Sequence, residues 1–352
     1  MSLLDDTIKG ISPVDGALLA KAQRMLDILT KPQGSLGRLE DLAKNIAAIT
    51  AVEHPVMERK VIFTFAADHG VTEEGISAFP KEVTAQMVYN FIRGGAAINV
   101  LSRHCGVKVV VADLGVAEDL GKHEGLINAK VDRGTKNMFK GPAMTLDQAK
   151  RSIEAGIEIF ERSYKDGIDV AGTGEMGIGN TTAASAITSV ITGATVRDVT
   201  GRGTGIDEKG LEHKISVIEG AIAKNRPDPG DGLDILAKVG GFEIGGLVGV
   251  ILAAARRKVP VAVDGFISGA AALIAYKLQP LSRDYMIASH KSVERGHAVI
   301  WKYMGLKPVL DLDMRLGEGT GACLAMTLIE ASCKILKEMA TFESAKVSDK
   351  SG

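Results

Sequence analysis

Two glutamates enclosed by glycines are the residues of this chain best suited to chemistry. Glu175 lies in GTGEMGIGNTT at residues 172–182, and Glu318 lies in RLGEGTG at residues 315–321. Each follows a short apolar run and precedes a segment with helical spacing, which predicts a tight turn at the end of a strand, beside N–H groups that hold anions. One such turn is often plain architecture. Two, together with a third Gly-rich turn at residues 200–205, predict a site for a phosphorylated sugar.

The turn after the first glutamate has the composition of an anion site. Gly177 and Gly179 precede Asn180, which is predicted to cap an Ala-rich helix, and Thr181 and Thr182 supply hydroxyls in its first turn. A phosphate there would meet free N–H groups, the helix dipole and side-chain donors, and a bulky side chain at Gly179 is expected to block it. The turn has neither the Lys of a Walker loop nor the ribose-binding acid of a dinucleotide fingerprint. A simply capped helix is the structural alternative.

A second candidate surface surrounds a helix start at residues 77–88, SAFPKEVTAQMV. Phe79, Met87 and Gln86 together provide an apolar wall with one amide, which suits a flat heteroaromatic ligand. The alternative is that Phe79 and Met87 pack in the core.

Composition excludes several classes of protein. The formal net charge of −1, from 42 Lys and Arg against 43 Asp and Glu, leaves no basic field for nucleic acid. The N-terminus has no basic region followed by an apolar stretch, and the most apolar later segment, residues 244–255, is too short to span a bilayer. Cys105, Cys323 and Cys333 show no paired spacing and are interpreted as small buried hydrophobes. A soluble cytoplasmic protein is expected.

Six runs rich in Val, Ile and Ala predict buried parallel strands, because they are continuous rather than alternating and are separated by helical patterns. They are residues 61–66, 107–112, 168–171, 259–263, 285–288 and 309–312. The carboxyl ends of such strands meet at the ligand-binding edge of a doubly wound sheet, so the polar residues that follow them should share one crevice. The predicted fold is α/β, with a doubly wound, mainly parallel six-stranded Rossmann-like sheet.

Helical patterns fill the gaps and both ends of the chain. Between the strands they cover residues 81–103, 180–191, 207–224, 243–256, 266–276 and 291–302. Outside the strands they cover residues 16–30 and 36–50, with Asp15 and Ser35 as N-caps, and residues 321–339. We therefore expect a small helical domain from residues 1–55 with roughly 325–352, and a large α/β catalytic domain at residues 56–324. Residues 346–352 are expected to fray.

Asp68, His69, Asp264 and His290 follow predicted strands and raise the alternative of a metal-dependent hydrolase. No pair of histidines has ligand spacing, and two His with two Asp on separate strands is a poor signature for zinc or iron. No metal or cofactor is expected. Sensitivity to a chelator would reveal the hydrolase.

Six motifs distributed along nearly the whole chain resemble one known family. They are KPQGSLGRLE at 31–40, ADHGV at 67–71, GGAAIN at 94–99, GEMGIGNTT at 174–182, GRGTG at 201–205 and RLGEGTG at 315–321. The family is nicotinate-nucleotide:dimethylbenzimidazole phosphoribosyltransferase, which makes α-ribazole 5′-phosphate for the lower ligand of cobalamin. The resemblance implies a homodimer of two-domain subunits.

The resemblance also implies roles for individual residues. Glu318 is the implied catalytic base. The phosphoribosyl group is implied to contact Glu175, Gly177, Ile178, Gly179, Asn180, Thr181, Thr182 and Gly203, with Lys214 as a phosphate contact. The base pocket is implied at Ser77, Phe79, Gln86 and Leu316. No chemical step is implied for the Pro-Gln-Gly-Ser-Leu-Gly segment.

The reaction fits the residues present. Nicotinate leaves its ribotide without an acid, because the pyridinium nitrogen already carries positive charge, so one carboxylate that deprotonates the incoming imidazole suffices. Glu318 is expected to have a raised pKa, with Glu175 adding like charge and either stabilising the ribose cation or binding its hydroxyls. Transferases that use phosphoribosyl pyrophosphate commonly carry adjacent acids after a strand to hold magnesium, whereas residues 109–114 contain one acid. A non-catalytic nucleotide sensor and a nucleosidase-type hydrolase using both glutamates remain alternatives, and the physiological base is left open.

Overall fold

The structure is a computed structural model that describes residues 2–203 and 205–348. Thr204 of the third Gly-rich turn and residues 349–352 of the tail predicted to fray lie outside the described residues.

Six strands form one parallel sheet in the order β3-β2-β1-β4-β5-β6, and two short strands form a separate parallel pair. The strands are β1 (Lys60–Ala67), β2 (Val107–Gly115), β3 (Leu126–Asn128), β4 (Val170–Met176), β5 (Val261–Val263), β6 (Met286–Ala288), β7 (His290–Lys291) and β8 (Leu310–Asp311). The chain order reverses between β1 and β4, which is the position where open α/β sheets bind ligands. The predicted α/β fold is confirmed.

One predicted strand lies outside the main sheet, and two short strands, β3 and β7, were missed. Residues 309–312 do not join the main sheet, because Leu310 and Asp311 pair only with His290 and Lys291 and are not buried. The sixth strand of the sheet is instead the edge strand β3, whose three residues pair with β2 and are partly exposed. A strand of three residues is too short to show a continuous apolar run.

The described residues contain helices on both faces of the sheet. They are α1 (Leu3–Lys9), α2 (Gly16–Asp27), α3 (Arg38–Thr50), α4 (Val83–Arg93), α5 (Ala97–Cys105), α6 (Leu146–Tyr164), α7 (Asn180–Thr192), α8 (Val196–Val199), α9 (Glu208–Asn225), α10 (Gly232–Val239), α11 (Phe242–Arg256), α12 (Phe266–Leu278), α13 (Arg295–Met304), α14 (Thr320–Glu338) and α15 (Phe342–Ala345). Short 3₁₀ helices cover Gly70–Glu74 and Pro280–Tyr285. None of the helices in the described part of the chain has the length and apolarity needed to cross a membrane.

The observed helix boundaries differ from the predicted ones where a glycine ends a helix or where a residue pairs in a strand. The helix predicted over residues 81–103 is two helices, because Gly94 ends α4 in the left-handed region at φ +78°. The helix predicted from residue 291 begins at Arg295, since Lys291 belongs to β7. Asp15 caps α2 as predicted. Ser35 does not cap α3, which begins after Gly37 without a side-chain cap.

Helices from both chain ends share a small apolar cluster apart from the main core. It comprises Ala22, Leu26, Leu29, Ala43, Ala47 and Leu336, which come from α2, α3 and α14 and the residues beside them. An isolated bridge between Leu29 and Thr341 joins the two ends of the chain. Helix α14 starts beside the sheet and also packs against α5 and β4. The cluster supports the proposed small helical domain, and its boundaries remain a prediction.

Candidate active site

A cavity of about 410 Å³ lies beyond the carboxyl ends of β4 and β5, next to the point where the strand order reverses. The predicted site residues that line it are Phe79, Glu175, Gly177, Ile178, Asn180, Thr181, Gly203, Leu316 and Glu318. The predicted residues outside its lining are Ser77, Gln86, Gly179, Thr182 and Lys214. The three Gly-rich turns, far apart in sequence, therefore meet at one cavity.

Glu318 is held on a strained turn. Its φ of +64° lies in the left-handed region, between Gly317 at +88° and Gly319 at +96°. An ordinary side chain avoids this region, so its surroundings must hold it there. The Thr64 hydroxyl donates a hydrogen bond to the Glu318 carbonyl at 3.0 Å, and the N–H of Ile98 donates to Glu318 Oε2 at 3.1 Å. The Glu318 side chain is thereby fixed.

Glycines let the two glutamate turns approach each other. A Cβ at Gly174 would overlap the Glu318 carbonyl oxygen, and a Cβ at Gly317 would overlap Glu175 Oε1. A side chain at Gly174 would push the turns apart, and one at Gly317 would displace the Glu175 carboxyl group and strain the left-handed backbone. Gly174 and Gly317 therefore allow the close approach of the two glutamates.

Asn180 orients Glu175 instead of capping a helix. The N-cap of α7 is Gly179, which makes no side-chain hydrogen bond, so the predicted capping role of Asn180 was wrong. The Asn180 amide Nδ2 donates to Glu175 Oε2. Glu175 lies five residues back in the chain, and this contact directs the Asn180 side chain toward Glu175.

Burial changes the protonation of both glutamates. Burial raises the pKa of Glu175 to about 8, with the charges of Asp264, Glu243 and Glu318 adding to the effect and the Asn180 amide opposing it. Burial also raises the pKa of Glu318; the N–H of Ile98 opposes this and the charge of Asp264 adds to it. This shift favours the protonated form of Glu175 near neutral pH, in which its carboxyl can donate a hydrogen bond.

The far end of the cavity is suited to a phosphate. Lys214 Nζ donates to Thr181 Oγ1 at 2.7 Å, and a Cβ at Gly203 would lie 3.2 Å from the same Nζ. Lys214 is 2% exposed, and burial lowers its pKa to about 8, against the charge of Glu294. Lys214 thus lies directly behind Thr181 and Gly203, both of which line the cavity.

Gly179 and Thr182 do not face the cavity. Gly179 has φ +95°, and a Cβ there would lie 2.9 Å from Thr72 Cγ2 and 3.4 Å from His69 Cβ. Thr182 is fully buried in α7. The structure therefore places the side of Gly179 against the 3₁₀ helix behind the site, where a side chain meets protein before it meets a ligand.

Gly179→Ala is accordingly expected to reduce stability and not phosphate affinity. The left-handed backbone and the contact with Thr72 should lower the free energy of unfolding by about 1–2 kcal/mol. The ratio of KM for a phosphorylated sugar donor to KM for the same donor without its phosphate should stay unchanged, as measured by steady-state kinetics beside thermal unfolding. A selective rise in KM for the phosphorylated donor would instead place the phosphate against Gly179.

The four residues considered for a metal divide into two groups. His69 Nε2 lies 2.7 Å from Glu243 Oε1, and Asp68 Oδ2 accepts the N–H of Ala117 at 2.8 Å. Asp264 and His290 lie together, with Nε2 3.8 Å from Oδ1. In residues 2–203 and 205–348, no group of three or more His, Cys, Asp and Glu side chains is arranged to hold a metal ion.

The His69–Glu243 pair should make stability depend on pH. Burial alone would lower the pKa of His69, but the adjacent Glu243 carboxylate outweighs burial and raises it above 6.5. A raised folded-state pKa stabilises the fold below the unfolded value of 6.5, and this contribution is lost as pH rises through the folded-state pKa. We expect Glu243→Gln to cost about 3 kcal/mol near pH 6 and progressively less at higher pH, as measured by urea unfolding. A difference independent of pH would contradict the pairing.

The apolar wall of the cavity is exposed. Phe79 is 52% and Leu316 is 58% exposed, and both line the cavity together with Val83 and Met87. The alternative that Phe79 is a core residue is therefore wrong. Ser77 Oγ accepts the N–H of Phe79 at 3.2 Å and so supports the loop, while Gln86 is exposed on α4 outside the lining.

Comparison with known proteins decides the family. A family model described as phosphoribosyltransferase matches residues 11–347. The nicotinate-nucleotide–dimethylbenzimidazole phosphoribosyltransferase of Chloroflexus aggregans is 58% identical over 350 residues, 99% of each chain, and that of Geobacter metallireducens is 58% identical over 347 residues, 99% of this chain and 98% of the other. The chain belongs to this phosphoribosyltransferase family. The resemblance of the motifs is thereby confirmed, and with it the assignment to the pentosyltransferases.

The chain is also similar in structure to a solved member of this family. The crystal structure of nicotinate-nucleotide–dimethylbenzimidazole phosphoribosyltransferase from Thermus thermophilus superimposes with a TM-score of 0.91 at 44% identity, covering 95% of this chain and 99% of that one.

Several residues lining the site of this family member were not assigned to it from sequence. They include Gly265, Ser292, Glu294 and Arg315. Arg315 Nη1 donates to the Gly203 carbonyl at 3.2 Å, which joins two of the Gly-rich turns. Arg315 stands three residues before Glu318, so its place in the same motif was an available signal. Ser292 and Glu294 follow the two-residue strand β7, and no local pattern marks them.

Proposed function

We propose that the protein moves the 5-phosphoribosyl group from nicotinate mononucleotide to 5,6-dimethylbenzimidazole or a related base, with inversion, to give α-ribazole 5′-phosphate and nicotinate. The observation that carries the proposal is one cavity that presents Glu318, the protonated Glu175, an exposed apolar wall and a buried lysine behind a Gly-rich turn. These features match the base, ribose and phosphate of the two substrates. The assembled α-ribotide serves the nucleotide loop of cobalamin.

Glu318 acts as the general base. Its Oε2 is fixed by the N–H of Ile98, and its raised pKa makes it a better proton acceptor than an ordinary glutamate. It takes the proton from the imidazole N–H as the second ring nitrogen attacks C1′. The nicotinate nitrogen leaves from the opposite face as a neutral pyridine, so the leaving group requires no acid.

Glu175 binds the ribose. Because its pKa of about 8 keeps it protonated at pH 7, it donates a hydrogen bond to a ribose hydroxyl while Asn180 holds its other oxygen. A neutral carboxyl gives little charge stabilisation to an oxocarbenium-like sugar. Of the two roles expected for Glu175, hydroxyl binding is therefore favoured.

Lys214 and the Gly-rich turns bind the 5′-phosphate. Lys214 Nζ already donates to Thr181, whose hydroxyl lines the cavity beside Gly203. Backbone N–H groups at the start of α7 add the helix dipole. Catalysis then rests largely on holding both rings on opposite faces of one sugar.

Phe79 and Leu316 form the contact surface for the base. Phe79→Ala is expected to raise KM for dimethylbenzimidazole about 10-fold, the equivalent of one aromatic contact, and to leave KM for nicotinate mononucleotide within a factor of two. Steady-state kinetics with each substrate varied in turn measures both. Phe139→Ala, at an exposed aromatic outside the cavity, is the matched control. Equal effects on the two substrates would contradict a base-specific contact.

The homodimer implied by the resemblance and the cytoplasmic location expected from the sequence remain proposals. Light scattering coupled to gel filtration tests the first, with a mass of about twice 37.0 kDa expected.

Two functional alternatives are separated by a single assay. Incubation with nicotinate mononucleotide alone should release little nicotinate, and addition of dimethylbenzimidazole should start release. A nucleosidase-type hydrolase would release nicotinate and ribose 5-phosphate without any base, and a nucleotide sensor would release nothing in either case.

A further inference from the structure

Asp264 is a buried carboxylate behind the Glu318 turn to which the steps above give no role. It follows the last residue of β5, is 1% exposed and does not line the cavity. Its own N–H donates to Thr173 Oγ1 at 3.1 Å, which ties it to β4 two residues before Glu175.

The Asp264 side chain accepts hydrogen bonds from the start of α14. Oδ2 accepts the N–H of Gly319 at 3.1 Å, Oδ1 accepts the N–H of Ala322 at 2.9 Å, and the N–H of Gly321 also donates to the carboxylate. The N-cap of α14 is Gly319, which has no capping side chain. Asp264 therefore supplies from another strand the cap that the helix does not carry itself.

The hydrogen bonds accepted by Asp264 also help to hold the Glu318 turn in place. Gly317, Glu318 and Gly319 are three consecutive residues with positive φ, and Glu318 is the one for which this region is strained. Asp264 holds the residue directly after Glu318, while Thr64 holds the Glu318 carbonyl. Loss of the Asp264 contacts would free the turn to relax toward an ordinary backbone conformation and carry the carboxylate away from its place.

The charged groups around Asp264 come from several elements. The Asp264 carboxylate interacts electrostatically with Glu175 of β4, Glu318 and His290 of β7, and Glu243 of α11 acts on the same Glu175. Burial raises the pKa of Asp264, whereas His290 and the three N–H groups lower it. Both oxygens are occupied as acceptors, which is the pattern that an ionised carboxylate satisfies.

We propose that Asp264 is a positioning residue for the transfer reaction, which caps α14 from β5 and keeps Glu318 on its strained turn facing the cavity. The inference rests on the proposed role of Glu318 as base. Asp264 acts through Glu318, so its removal should matter only while Glu318 is present.

A double-mutant cycle tests this dependence. Asp264→Asn keeps the size of the side chain but leaves one oxygen for three donors. It is expected to lower kcat about 10²-fold, the effect of a small misplacement of a reacting group, with dissociation constants for both substrates changed less than threefold. In the Glu318→Gln background, Asp264→Asn should cost less than threefold further.

The matched control is Asp113→Asn. Asp113 is also a buried aspartate near the end of a strand, where it accepts the N–H groups of Gly115 and Val116 at 3.0 and 2.8 Å, and it lies away from the cavity. This variant should keep wild-type kcat. If Asp264→Asn does not fold, Asp264→Ser, which keeps one oxygen acceptor, replaces it in the cycle.

The outcomes separate the inference from the proposed function. Absence of transfer by the wild-type protein would defeat the proposed function. Full turnover by Glu318→Gln would show that Glu318 is not the base, and the inference about Asp264 would then fail as well. If the wild-type protein is active but Asp264→Asn keeps full turnover, only the positioning role is wrong. The same conclusion follows if the decreases in kcat caused by Asp264→Asn and by Glu318→Gln multiply in the double variant.

Discussion

Replacing Glu318 by glutamine is expected to lower turnover by about 10²–10⁴-fold, the usual contribution of a positioned general base. Glutamine keeps the shape of the side chain and one oxygen to accept the N–H of Ile98, so fold and substrate binding should survive. Turnover is measured as nicotinate release at saturating concentrations of both substrates, and binding by calorimetry.

The pH dependence gives this prediction a second readout. Only ionised Glu318 accepts a proton, so wild-type kcat should fall as pH falls through its raised pKa, and the acid limb should be absent in the variant. Glu338→Gln, an exposed residue at the opposite end of α14, is the matched control and should behave as wild type. Near-wild-type turnover by Glu318→Gln would remove Glu318 as the base.

Replacing Lys214 by methionine is expected to raise KM for nicotinate mononucleotide about 10²-fold, the equivalent of one charge-assisted hydrogen bond to phosphate. Methionine fills the buried space of the lysine stem without a charge. KM for the base should change little, and nicotinate riboside, which has no phosphate, should react equally with both proteins. Lys209→Met, an exposed lysine on the same helix, is the matched control.

The burial of Lys214 also predicts a decrease in kcat/KM at alkaline pH. Because burial lowers its pKa to about 8, the free protein loses this positive charge above pH 8, and kcat/KM for nicotinate mononucleotide should fall there. The part of this decrease that is due to Lys214 should disappear in Lys214→Met. Equal losses for ribotide and riboside would mean that Lys214 supports the fold and does not bind the phosphate.

The strands that were predictable are those with continuous apolar runs. Residues 61–66 form the centre of β1, which is buried at every position because helices cover both faces of the sheet and strands β2 and β4 flank it. Strand β3 was missed because its three residues are partly exposed. Three of the four residues at 309–312 are apolar, yet Leu312 is 53% exposed. Whether a strand at the edge of the sheet is buried depends on which other elements pack against it. The local sequence does not contain that information.

The site shows the same division between local and distant signals. The glycine pattern around Glu175 and Glu318 was informative because Gly174 and Gly317 each lie in close contact with the other glutamate's turn. The capping role predicted for Asn180 was wrong because the helix begins one residue earlier than that cap requires, with Gly179 as N-cap, and the Asn180 amide donates to Glu175. The packing of Lys214 behind Thr181 brings together α9 and α7, and the contact between Asp264 and Gly319 joins β5 to α14. Contacts across such sequence distances follow from the fold and have no local pattern.

The most direct test of the account is the identity and anomeric configuration of the product. The purified protein is incubated with nicotinate mononucleotide and 5,6-dimethylbenzimidazole, and the products are separated and examined by proton NMR. We predict one nicotinate released for each α-anomeric ribotide of the base formed. Free ribose 5-phosphate, a β-anomeric ribotide, or substrate binding without any released nicotinate would contradict inverting transfer at this site.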